Sequence, residues 1–159
     1  MSDLNPYAKF LDGSRLDTIL ASTSPSIAAL MKTIGQEKSI KAPAPGKWSP
    51  VEIVCHLADC EIAFSFRLRQ TLAENDHVIQ PFDQEKWAVL YPGFAVGTAL
   101  AAFEALRNWN LVLIREALPA AAERTVTHPE RGPMTFQTIV ETMAGHDLNH
   151  LNQLQRIAG

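Results

Sequence analysis

Ile139, Met143, His146, His150, Leu154 and Ile157 follow one another at steps of four, three, four, four and three. That period puts all six on one face of an α-helix, so a stripe that must be buried against another element contains two imidazoles. A buried imidazole needs a partner for at least one ring nitrogen, and two imidazoles a single turn apart can offer nitrogens to one cation. For one histidine alone, a backbone carbonyl or a water is the ordinary partner. The stripe therefore constrains both the packing, which needs a second apolar helix, and the chemistry, which needs something to satisfy the histidines.

Three more segments have helical length. Ser49-Pro50-Val51-Glu52 places a capping serine, a first-turn proline and a reciprocating glutamate, which predicts a helix from there to about Glu74. On it, Ile53, His56, Cys60 and Ala63 share a face, so His56 also points inward. A segment over roughly 14–35 is helical, with Ser24-Pro25 a candidate bend. Another runs from about Thr98 to Leu118, with Leu100, Phe103, Leu106, Leu111 and Ile114 as its core stripe and Pro119 as its stop. The last helix starts at Thr135, with Met134 and Ile139 placed as a hydrophobic staple.

Between the second and third long helices lies a stretch from about Asn75 to Gly97, with a short helix expected at Asp83 to Leu90. A connection of that length suits a crossover along a bundle, so those two helices are expected to run parallel. With no run of alternating strand residues, the fold class is all-α: a four-helix bundle with a long crossover between helices two and three.

The chain has 159 residues, 47% of them apolar, which fits one domain over 1–159. Its first residues lack a signal-peptide pattern and no stretch suits a bilayer, so no membrane association and a cytoplasmic location are expected. Cys55 and Cys60 are five apart on one predicted helix, which excludes a disulfide between them and fits a reducing compartment. A net charge of -3 without a Lys/Arg block excludes nucleic acid as an expected partner.

His56, His146 and His150 are thus the candidate metal ligands, provided their two helices face each other. Three nitrogens leave a position open on a divalent ion, as in sites that bind water or substrate. Zinc or nickel head the expected ions, with iron or manganese as alternatives. Cys60, one turn past His56, is either a sulfur ligand or a small hydrophobe. Asp59 or Glu52 could orient an imidazole or act as a base; Asp59 is chosen, because Glu52 already serves the capping box. Asp147 and Asn149 read as solvated or as supports for the histidines. Gly145, inside a helix, implies close approach of another helix or a gap for substrate. His77 and His128 fall in loops, and the stiff 128–133 loop either covers a cleft or initiates the last helix. Arg67 continues the His56 stripe, as a carboxylate-binding group or a salt-bridge partner.

Four stretches carry a family resemblance: Lys47 to Glu61 around His56, Phe82 to Trp87, His128 to Gly132, and Gly145 to Gln153 around the histidine pair. Through them the chain resembles the DinB-like superfamily, damage-inducible helical bundles that include YfiT-type metal-dependent hydrolases, over almost its whole length. The resemblance implies a four-helix bundle with the long crossover, often a homodimer, and a metal held by three histidines that match His56, His146 and His150. Characterised relatives include thiol S-transferases and a mycothiol-dependent maleylpyruvate isomerase, which implies a small-molecule substrate and a low-molecular-weight thiol as partner.

The expected function is therefore that of a metal-dependent enzyme, a hydrolase or thiol-dependent S-transferase, in which the cation lowers the pKa of a bound water or thiol. The alternative is a non-catalytic metal-binding or stress-related ligand-sensing bundle, which a closed coordination sphere would favour.

Overall fold

The fold is taken from a computed structural model that describes residues 4–159. After a 3₁₀ turn at Ala8–Phe10 come α1 (Leu16–Ser39) and α2 (Pro50–Ala73). The crossover holds α3 (Gln84–Ala88) and a 3₁₀ turn at Tyr91–Gly93. Then follow α4 (Val96–Ala121), the strands β1 (Thr125–His128) and β2 (Gly132–Thr135), and α5 (Phe136–Ala158).

The helix starts are where the capping residues put them. Ser49 Oγ accepts from Glu52 N–H at 3.3 Å, and the Glu52 carboxylate accepts from Ser49 N–H at 2.7 Å. Thr135 Oγ1 accepts from Thr138 N–H, and Met134 and Ile139 are buried in one apolar cluster, as the staple requires. Asp83 caps α3 by accepting from Glu85 and Lys86 N–H.

The prolines behave differently from expectation. α1 runs through Pro25 without a break, because Ile19 and Leu20 before it and Ile27 and Met31 after it are buried on one face and hold both halves in place. Its non-helical residue is Gly35, at φ 76°. Pro119 lies inside the final turns of α4, where a missing N–H costs one hydrogen bond and does not end the helix.

The loop before α5 is a short antiparallel hairpin, with Val126 opposite Met134 and His128 opposite Gly132. No strand was expected there, since four residues with Val126 and His128 inward give too short an alternation to stand out. The crossover docks on its edge: Thr127 N–H donates to His77 O, and Ile79 N–H donates to Thr127 O.

α2 and α4 run parallel. Residues Asp59 and Ile62 lie by Thr98 and Ala102, whereas Glu61 and Ser65, further along, bond Arg107 and Asn110. α1 and α5 run opposite to α4: Asp17 meets Arg115 while Leu20 meets Arg107, and Gln137 meets Ala122 while Asp147 meets Arg107. The crossover thus spans the bundle, as its length implied.

Apolar residues form two clusters, one around Leu20, Phe64, Ile114 and Ile139, the other around Ile27, Leu57, Phe103 and Leu154. Between them every long helix contributes to a buried polar layer. At its centre Arg107, 1% exposed, donates through Nε and Nη2 to both oxygens of Glu61, and through Nη1 to Asp147 and to Leu20 O. Asn110 adds a 2.8 Å bond to Glu61. Removing the cation would leave two buried carboxylates without it, a loss of roughly 3–5 kcal/mol. Arg107→Leu is therefore expected to lower urea-unfolding stability by about that much; a change near zero would contradict this reading of the layer.

Candidate metal centre

His56 on α2 and His146 and His150 on α5 do meet. One nitrogen from each lies within 4.8 Å of the other two, and all three rings are buried. The Nε2 atoms of His56 and His146 are 3.0 Å apart. Burial first, and then the neighbouring imidazoles, push the pKa of His56 down to about 2 and of His150 down to about 3. Both are therefore neutral nitrogen donors at physiological pH. His150 Nδ1–H donates to Gln153 Oε1 at 3.0 Å, which leaves its Nε2 lone pair for the centre of the cluster.

Two ligands about 2.1 Å from one cation, at angles between a right angle and a tetrahedral one, lie roughly 3.0–3.4 Å apart, so the His56–His146 separation suits a shared ion. His146 Nδ1 is buried without a hydrogen-bond partner, and Asp147 Oδ1 stands 3.9 Å away. With Nε2 turned to the cluster, Nδ1 carries the ring proton, and the Asp147 carboxylate is the acceptor on that side. Aromatic rings wall the cluster: Trp48 against His56, Tyr7 and Phe64 against His146.

Two cavities reach the histidines. A larger one of about 390 Å³ is bounded by His56, His150, Trp48, Lys47, Asn149 and Gln153. A smaller one of about 180 Å³ is bounded by His146, Cys60, Phe64, Arg67, His128 and Arg131. Tyr7 lines both.

Other expected site residues fall elsewhere. Asp59 is committed to Tyr91, whose hydroxyl donates to Oδ2 at 2.6 Å, and it faces a groove between α2 and α4. It lines neither cavity, so its expected role as support or base at the histidines is not what its contacts provide. Cys60 Sγ is 3.4 Å from His56 Nε2 but falls outside the set of mutually close donor atoms, and burial raises its pKa well above the usual thiol range. Asp147 is buried on Arg107 and not solvated; Arg107 holds it ionised, its pKa lowered although burial alone would raise it. His77 pairs with Glu74, away from the cluster.

Arg107, Glu61 and Tyr7 escaped the sequence reading. The first two carried a signal: Arg107 sits four residues from both Phe103 and Leu111, and Glu61 four from Leu57, each a charge inside an apolar stripe. Tyr7 carried none of its own. Gly145 marked it indirectly, because the approach there is made by the Tyr7 segment and not by another helix.

The DinB superfamily profile matches residues 20–154, and the chain belongs to that superfamily. A protein of Oceanobacillus iheyensis named "putative metal-dependent hydrolase" is 33% identical over 107 residues, 67% of this chain and 62% of the relative, so the match spans less than two thirds of the relative. A Bacillus mycoides protein of the same name is 26% identical over 125 residues, covering 78% of this chain and 72% of the other. Among solved structures, YfiT from Bacillus subtilis, described as "a probable metal-dependent hydrolase with an unusual four-helix bundle topology", superposes with a TM-score of 0.79 at 19% identity, over 89% of this chain and 84% of that one. At that identity it shows the fold alone.

A Cβ on Gly145 would stand 2.7 Å from both Cβ and O of Tyr7. Helix propensity alone would make Gly145→Ala stabilising by about 1 kcal/mol. The contact reverses the sign: the variant is expected to lose stability and to be cleaved faster by trypsin at Lys9, as the N-terminal segment lifts off α5. Unchanged cleavage together with higher stability would show that Tyr7 does not pack there.

Proposed function

We propose that the chain is a metal-dependent enzyme whose divalent cation is held by His56, His146 and His150. The observation that carries this reading is the meeting of three buried imidazoles, two of them with Nε2 atoms 3.0 Å apart. A divalent ion bound there supplies Lewis acidity, and with three protein nitrogens it keeps a position for an exchangeable ligand. The cavities on either side give that position access to small molecules, which weighs against a closed, sensing-only site.

The protein's own groups do the rest. Gln153 fixes the His150 tautomer, and the Arg107–Asp147 pair anchors the turn of α5 that carries His146. Trp48, Tyr7 and Phe64 exclude water from the rings, which strengthens polar interactions inside.

Hydrolysis is the reading that the relatives' names favour. Transfer of a low-molecular-weight thiol is the second reading, favoured by one feature: two cavities reach the cluster, which gives two substrates separate approaches to it. The larger has room for the thiol beside His56 and His150. Zinc or nickel are the proposed ions, since imidazole nitrogens suit both. The chain acts as one domain in the cytoplasm, a reading supported by two buried cysteines that remain free and by the lack of any described helix able to cross a membrane. It works as a homodimer, supported by apolar Ile62 and Phe66 on α2 and Trp109 and Val112 on α4, all about half exposed or more.

Elemental analysis of untagged protein tests the centre: about one ion per chain is expected, lost in His56→Ala and His146→Ala. Full retention in both variants would overturn the proposal. Gln153→Ala should keep the fold and weaken metal affinity by roughly 10–100-fold, measured by chelator competition.

A further inference from the structure

The smaller cavity holds two arginines that the metal site does not use. Arg67 and Arg131 both line it, and among the described residues neither guanidinium has a carboxylate partner. Arg67 reaches it from α2 and Arg131 from the turn between β1 and β2. The fold thus sets two like charges at one part-buried space, an arrangement that repels unless an anion joins them. Arg67 gives only one protein hydrogen bond, to Gln80 O at 3.3 Å, and lies over the rings of Phe64 and Phe82.

His128 supplies a third donor. Its Nδ1 accepts from Glu130 N–H at 3.2 Å, so the neutral ring carries its proton on Nε2, and His128 lines the same cavity. Burial and then the two arginines lower its pKa, keeping it neutral. Glu130 is the one carboxylate among the lining residues, which leaves a single net positive charge there. That balance suits a monoanion better than a phosphate dianion. Phe64, Phe82, Tyr7 and Pro81 give the wall a surface for a flat apolar body, Gln84 and Thr142 add neutral polar groups, and His146 also lines the cavity.

We infer that this cavity binds the carboxylate of a small aromatic or apolar acid between Arg67 and Arg131, with His128 Nε2–H as an additional donor, so that the substrate's other end lies toward the histidine cluster. The inference rests on the reading of that cluster as the reactive centre, and it makes the substrate class a carboxylic acid derivative. Arg67 and Arg131 are specificity-determining groups in this account, and the metal ligands are untouched by them.

Calorimetric titration of the metal-loaded full chain with benzoate, benzamide and inorganic phosphate tests it. Benzoate is expected to bind, benzamide at least about tenfold more weakly, and Arg67→Gln and Arg131→Gln each to weaken benzoate by roughly ten- to a hundredfold. Metal content should stay unchanged in both variants. Arg131 makes no side-chain hydrogen bond among the described residues, so its variant should fold even if loss of Arg67 disturbs the crossover. Benzoate binding unaffected by either substitution, or phosphate binding more tightly than benzoate, would overturn the inference. A titration after chelation separates the two claims. Arginine-dependent binding that survives metal removal supports the seat, whereas binding lost with the metal and indifferent to the arginines puts the anion on the cation and overturns it. Protein that never carries metal would defeat the proposed centre and leave an arginine-dependent benzoate site standing.

Discussion

The guanidinium of Arg107 bonds to all three of the other long helices: the Leu20 carbonyl on α1, Glu61 on α2 and Asp147 on α5. Buried ions of this kind are a weak source of net stability, since the cost of leaving water offsets much of the attraction. They are a strong source of register, because a shift of any helix would strand a charge. Asp147 follows His146 directly, and Glu61 lies five residues after His56, so the ion network fixes the heights at which the histidines meet. The chain therefore has a polar middle, ionic on one side and imidazole on the other, between two apolar clusters.

That arrangement explains why three imidazoles tolerate burial together. Each loses water, and the two lowered pKa values record that loss. Gln153 compensates one ring, and the Asp147 carboxylate stands 3.9 Å from His146 Nδ1. The Nε2 atoms of His56 and His146, 3.0 Å apart, present lone pairs that suit one shared Lewis acid. Tyr7, lying across Gly145 and against the edge of His146, divides the surrounding space in two and gives each cavity its own chemistry. One is polar and roomy; the other is aromatic and cationic.

Much of this was legible in the sequence. The Ser49 capping box, the Thr135 cap and its staple each left a local signature, and the length of the crossover foretold parallel α2 and α4. The histidines were readable because they interrupt apolar stripes. Arg107 and Glu61 interrupt stripes in the same way, and were overlooked because a charge on a helix is usually solvated. What could not be read depended on distant packing. Pro25 is tolerated by the burial of its neighbours and Pro119 by its place in the final turns of α4, the 125–135 hairpin has too few residues for a period, and Asp59 was drawn to Tyr91, a partner 32 residues away. Tyr7 reaches the site from a turn whose sequence says nothing of α5.

In the proposed centre, His56, His146 and His150 share one cation and leave part of its coordination open. X-ray absorption at the edge of the metal that co-purifies with the protein addresses it most directly. Three imidazole nitrogens at roughly 2.0–2.1 Å, with one or more further oxygen scatterers, are expected. A sulfur shell near 2.3 Å, placing Cys60 on the metal, or the absence of imidazole scattering, would contradict the account.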